Sequence, residues 1–171
     1  MGKIGIFLVL ICTPTLTAKA GGDAPISGYE FMEPGTRQLQ DDDFLNPAFF
    51  LIDNGRALWD QPWGEAAESC RSCHDDPEIS MPGVAAGYPK YDAGLGRFIN
   101  LEMKINSEIS SRLGGNALEY ESDDLLALTM LIAFQSRSMP MSIAQDARSE
   151  PWVTWGREIY TKRRGQLNLS C

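Results

Sequence analysis

The sequence predicts a mainly α-helical fold with long loops, one domain built round a large apolar group and then the first helix of a second such domain. Three observations predict it. Apolar residues recur at helical spacing in stretches separated by runs rich in Gly and Pro. A Cys-x-x-Cys-His motif, Cys70-Arg71-Ser72-Cys73-His74, sits between two of these stretches. Finally, Gly55-Arg56-Ala57-Leu58-Trp59 matches Gly156-Arg157-Glu158-Ile159-Tyr160, and the same offset of 101 residues carries Cys70 onto Cys171.

Residues 1–20 read as a bacterial export signal: Lys3 is the positive start, Ile4 to Cys12 the apolar run, and Ala18-Lys19-Ala20 the small-residue cleavage site. That run is too short to span a bilayer. Lipidation at Cys12 is disfavoured by the bulky Ile11 before it and by the cleavage site further on. The net charge of −8 becomes −10 once Lys3 and Lys19 leave. Such acidity argues against nucleic acid or an anionic membrane surface as partner and suits a protein that meets basic patches on other proteins. About 150 residues then remain, enough for one domain with a real core. The cysteines left are Cys70, Cys73 and Cys171, an odd number that fits a disulfide framework poorly.

Residues 21–44, rich in Gly, Asp and Pro, read as an extended N-terminal arm. Asn46 as cap and Pro47 in the first turn open a helix through about Asp60, ended by Pro62-Trp63-Gly64. From Asp75 to Gly96 the prolines and glycines predict loop. Phe98, Leu101, Ile105, Ile109 and Leu113 then define a helix stopped by Gly114-Gly115. A third helix runs from Ser122 to about Ser136, apolar on almost every side from Leu125 to Phe134 and therefore buried. The repeat predicts a further helix with Gly156 near its start, leading to a cysteine as the first does. A chain that stops on such a cysteine is expected to be a truncated one.

The chemistry lies in residues 70–74. A c-type haem is attached by thioether bonds from two cysteines to its vinyl groups, and the histidine after the second cysteine is placed to bind the iron. Such attachment takes place outside the bacterial cytoplasm, in keeping with the export signal. Three other readings exist. Zinc would need a fourth ligand, and there is no second His and only the distant Cys171. A thiol redox pair would sit in a βαβ context that is absent here. A structural Cys70–Cys73 disulfide would leave His74 without a purpose. The fold class is thus a cytochrome-c-like domain with long loops over residues 45–148, with 149–171 as the start of a second. Since His74 is the only histidine, the sixth iron ligand is another group or absent; thioether candidates are Met81, Met103, Met130, Met139 and Met141. Met139-Pro140 follows the buried helix as an axial Met-Pro does in small cytochromes c, although most methionines simply fill cores.

Beyond the haem motif, several stretches carry a family resemblance: residues 81–92 (Met81-Pro82-Gly83 through Tyr91-Asp92), Asn100-Leu101-Glu102 with Ile105-Asn106, residues 120–129, and Phe134-Gln135-Ser136-Arg137-Ser138-Met139-Pro140. From about Ser27 to Cys171 the chain resembles the SoxA family, the larger cytochrome subunits of the periplasmic SoxAX complexes of sulfur oxidation, in their dihaem form. The resemblance implies two haem domains, a smaller SoxX-like cytochrome as partner, a SoxYZ-like carrier whose cysteine is joined oxidatively to thiosulfate, and a cytochrome c electron acceptor. It implies Cys70 and Cys73 as covalent attachments of the first haem c, His74 as its axial ligand, and Cys171 as the first attachment of a second haem. The residue that does the sulfur chemistry lies beyond residue 171, so no catalytic residue is expected within the chain. One departure concerns the cysteine that follows the Ile-Asn pair in dihaem relatives and binds the first iron; here Glu108 takes its place, with Met103 near by. The expected function is an L-cysteine S-thiosulfotransferase subunit. The alternatives are a plain periplasmic electron-transfer cytochrome c and a haem-free thiol or metal module.

Overall fold

The computed structural model describes residues 26–171; the export signal and the first residues of the arm lie outside them. The chain divides into two units at Gln38/Leu39. The described part of the arm, expected to be extended, is helical instead: a 3-10 turn at Gly28–Phe31 precedes α1 (Pro34–Asp41), whose last residues lie past that division. Local bonds rather than an apolar period hold it. Ser27 Oγ accepts from the Tyr29 N–H at 3.3 Å, and Arg37 donates to the Met32 carbonyl at 3.0 Å while its guanidinium lies 5.2 Å from the Tyr29 ring centre.

The second unit is built on α2 (Ala48–Asp60), α5 (Leu101–Ser111) and α6 (Asp123–Phe134). The N-cap of α2 is Pro47 rather than Asn46, one residue later than the sequence suggested, and the Asn46 side chain just before it accepts from the Ala48 N–H at 3.0 Å. Asn100 caps α5 and Ser122 caps α6, each side chain accepting a backbone N–H of the first turn. Helix α5 starts later than its spacing suggested, because Phe98 belongs to a short antiparallel hairpin of β1 (Lys90–Asp92) and β2 (Arg97–Ile99). The expected loop before it also holds α3 (Cys70–His74) and α4 (Pro77–Ser80).

The core is Ile52, Leu58 and Trp59 of α2, Ile105 and Ile109 of α5, and Leu125, Leu128, Leu131 and Ile132 of α6, all under a tenth exposed. Each such aliphatic side chain contributes about 1.5–3 kcal/mol relative to exposure. Helices α2 and α6 cross closely because Gly55 has no side chain: a Cβ there would lie 2.3 Å from the Ala127 carbonyl oxygen. Gly55 sits past the middle of its helix rather than near its start, and so does Gly156 in α7 (Glu150–Thr161).

The repeat extends into the backbone. After α2, Trp63 bridges Glu68 across a turn with Gly64 and Ala67 at φ +61° and +54°; after α7, Arg164 bridges Leu169 with Gly165 and Asn168 at +70° and +50°. These pairs stand 101 residues apart, as the two cysteines do. Partnering differs: Gly55 is pressed against α6, whereas a Cβ at Gly156 would meet nothing within 4 Å, and Val153, Ile159 and Tyr160 are exposed. Among the described residues no helix is long and apolar enough to cross a membrane.

Candidate functional site

Five residues make α3, too few to persist alone, so its neighbours hold it. Ser69 and Ser72 form a reciprocal capping box: Ser69 Oγ accepts from the Ser72 N–H at 3.2 Å, and Ser72 Oγ accepts from the Ser69 N–H at 3.0 Å. At the other end Asp75 ends the helix at φ +55° and ψ −139°, a conformation costly for any residue with a Cβ. The buried Trp59 indole N–H donates to the Asp75 carbonyl at 2.9 Å, and its ring centre lies 5.9 Å from that of His74. Arg71 pairs with Asp60 at the end of α2 and, at 3.7 Å, with Asp76, whose side chain caps α4. These ion pairs are exposed and screened by water, so each contributes little. Together with Trp59 they fix where α3 sits on α2.

One turn of helix brings Cys70, Cys73 and His74 together at i, i+3 and i+4. They open onto a cleft of about 520 Å³. Its other walls include Met81, Val84 and Tyr88, then Leu101, Lys104, Ile105, Glu108 and Ile109 of α5 with Arg112 just past its end, and Leu128 and Ile132 of α6. Both sulfurs facing it are unbridged. Burial, more than the nearby Cys73 and Asp60, pushes the Cys70 thiol up to about 11, against one lowering backbone hydrogen bond. A thiol so held is a poor exchange nucleophile at neutral pH, which weighs against a redox pair. Although Cys70, Cys73 and His74 share a helical turn, among the described residues no group of three His, Cys, Asp or Glu is arranged to hold a bare ion, so zinc finds no ligand set. A haem fits: the volume is that of a small-molecule pocket, the walls are mostly apolar, and two free sulfurs and an imidazole stand at one edge.

Of the sixth-ligand candidates, Glu108 and Met81 line this cleft, and Met103, Met130, Met139 and Met141 do not. Met139 is 46% exposed and its sulfur lies toward Gly83, while Met141 is 72% exposed. Lys104 and Arg112 line the cleft without any motif to single them out, and Tyr88 sits in the stretch 81–92 with no sign of that role. Helical periodicity gives the face of Lys104 and Arg112 once Ile105 and Ile109 are known to be buried, but it does not tell a cleft from a core. Cys171 is exposed and stands after the second turn as Cys70 stands after the first.

Known proteins resemble this chain in sequence and in fold. Residues 54–141 match the family described as SoxA/TsdA, cytochrome c domain. The chain is 37% identical over 150 residues to the L-cysteine S-thiosulfotransferase subunit SoxA of Pseudaminobacter salicylatoxidans, covering 87% of this chain and 52% of that one. To the subunit of the same name from Rhodovulum sulfidophilum it is 39% identical over 145 residues, covering 85% and 50%. Its fold matches the crystal structure of SoxXA from P. pantotrophus with a TM-score of 0.77 at 38% identity, covering 85% of this chain and 55% of that one. The chain thus spans about half the length of these relatives. With an apolar cleft beside Cys70, Cys73 and His74 and a family match over more than half its length, the chain belongs to the SoxA/TsdA cytochrome c family.

Proposed function

We propose that this chain is the first-haem part of a periplasmic SoxA-type subunit, with haem c bound through Cys70 and Cys73 and its iron held by His74. The observation that carries the reading is the convergence of those three side chains on one apolar cleft. Trp59, through the Asp75 carbonyl, and the Ser69–Ser72 box orient the attachment helix, while Ile105, Ile109, Leu128 and Ile132 keep water from the buried face. When bound, the haem supplies one-electron transfer at a potential set by its axial ligands and burial.

In the whole enzyme the proposed activity is that of an L-cysteine S-thiosulfotransferase. Thiosulfate and the thiol of a SoxYZ-like carrier are joined through a new S–S bond, giving a Cys S-thiosulfonate, one proton and two electrons that pass to a cytochrome c acceptor. A SoxX-like cytochrome is the proposed partner subunit, in line with the SoxXA relative. Cys171, in the register of Cys70, is read as an attachment cysteine of a second haem, and residues 149–171 as the start of its domain. No residue described here is assigned to the sulfur chemistry.

A second reading is a periplasmic cytochrome of another thiosulfate reaction or of electron transfer alone. It is favoured by the 25% identity over 171 residues to the thiosulfate dehydrogenase of Psychrobacter arcticus, covering 86% of this chain and 50% of that one. The deciding experiment loads the full-length subunit with haem in a c-type maturation host, adds its SoxX-like partner, and offers thiosulfate with or without a SoxYZ-like carrier. Reduction of a cytochrome acceptor only when the carrier is present, with mass gain on the carrier cysteine, supports the transferase. Reduction by thiosulfate without the carrier supports the dehydrogenase.

A further inference from the structure

Phe44 and Phe50 stand in water at the start of the second unit, 95% and 80% exposed. Phenylalanine rings are ordinarily buried. The turn that displays Phe44 is a built one. Asp42 Oδ1 accepts from the Phe44 and Leu45 N–H groups at 2.9 and 3.2 Å, and the Asp42 carbonyl accepts from the Asn46 N–H at 2.9 Å. Asp43, between them, is moored beyond the end of α6, where Arg137 donates to it at 2.6 Å. The same guanidinium lies 5.7 Å from the Phe134 ring centre, and Phe49 meets that ring edge-on at 5.2 Å. Phe49 thus turns inward, while Phe50 beside it turns outward.

Acids surround the two rings. Asp41, Asp42 and Asp43 precede Phe44, and Asp53 shares the Phe50 face of α2 at i+3; all four are exposed. A ring displayed on a fixed turn loses little freedom when another protein covers it, so it binds at low entropic cost. Interfaces that persist are more apolar than those that form and part with each turnover. Rings this bare therefore suit a standing subunit better than a carrier or acceptor that comes and goes. The acidic surround selects a basic face opposite.

Resting on the partner reading above, we propose that the turn at residues 42–46 and the first turns of α2 form the docking site for the SoxX-like cytochrome subunit. Phe44 and Phe50 are its apolar anchors, and the partner's matching face is an apolar socket with a basic rim.

The test uses the full-length, haem-loaded subunit with the SoxX-like subunit as probe. Hydroxyl-radical footprinting read by mass spectrometry reports on each ring, and surface plasmon resonance reports on affinity and rates. Both rings are expected to label in the free subunit and to be protected in the complex. The double variant Phe44→Ser, Phe50→Ser is expected to weaken binding by roughly 30-fold or more, as loss of a hot-spot side chain does. Since both rings lie in water, it should keep the wild-type melting temperature and haem content. Asp53→Asn takes one charge from the surround and should slow association, as should added salt. Footprinting needs no substitution, so it decides the matter even if the double variant fails to fold. The proposal is overturned if the double variant binds as the wild type does, if the rings label equally with and without the partner, or if they are already protected in the free full-length subunit. A wild type that does not bind the SoxX-like subunit overturns the partner reading itself, and this site with it.

Discussion

Replacing Gly55 with alanine sets two well-known effects against each other. In an isolated helix alanine gains about 1 kcal/mol over glycine. Here the new Cβ would stand 2.3 Å from the Ala127 carbonyl oxygen and 2.9 Å from both the Ala127 carbonyl carbon and Leu131 Cβ. The first two of those atoms are backbone and cannot rotate away, so α2 and α6 must part by roughly 1 Å. A gap of that size forfeits a quarter to a half of the dispersion energy of the contacts around it. Those contacts include Ile52, Leu58, Leu128 and Leu131, the centre of the core. Overpacking of this kind costs about 1–3 kcal/mol and occasionally more, and opening so central a crossing belongs at the upper end. Net of the helix gain, the loss is roughly 2 kcal/mol, a fall in Tm of about 4–8 °C for a domain of this size. Thermal unfolding of the haem-loaded protein followed by circular dichroism measures it, with Gly156→Ala as control. A Cβ at Gly156 meets nothing within 4 Å in this chain, so that variant should be neutral or stabilised. A Gly55→Ala protein as stable as the wild type would refute the close-crossing explanation.

Other expectations concern the attachment helix. Trp59→Phe removes the bond to the Asp75 carbonyl and should cost about 1–2 kcal/mol; the same variant should lower the yield of attached haem, measured by haem stain per mole of protein. Ser69→Ala deletes half of the capping box and should cost about 1 kcal/mol, read as a shift in the denaturant midpoint. Arg71→Ala removes only exposed ion pairs, and a midpoint shift as large as that of Ser69→Ala would contradict that assignment. In apo-protein, burial raises the folded Cys70 thiol from 9.0 to about 11. The unfolded chain ionises this thiol first as pH rises, so stability is full below pH 9 and is lost toward pH 11. Native-state alkylation of Cys70, followed by mass spectrometry, should rise only across that upper range.

Much of this was open to reading from the chain alone because it rests on local chemistry. Cys70, Cys73 and His74 are neighbours in sequence, so their grouping needs nothing beyond one helical turn. Ser122 caps the first turn of α6, and Asn46 accepts from the Ala48 N–H just before α2, which is why both helices begin within a residue of where expected. The offset of 101 residues was legible for the same reason, since each copy is a local helix, turn and cysteine. The arm over 21–44 was misjudged because α1 is held by Arg37 bonds to carbonyls rather than by any apolar period. Phe98 fitted the period of α5 yet pairs across a hairpin with Tyr91, which no helical count foretells. What only the tertiary structure decided is which side chains from distant segments meet. Met139 and Met103 are plausible thioethers in sequence, but the fold keeps both from lining the cleft, while it brings Glu108, with the cations that hold it, to the same cleft as His74. Such convergence depends on the packing of α5 on α6 and of α6 on α2, the latter set by Gly55 and the core around it. Contacts between segments dozens of residues apart leave no spacing along the chain from which to read them.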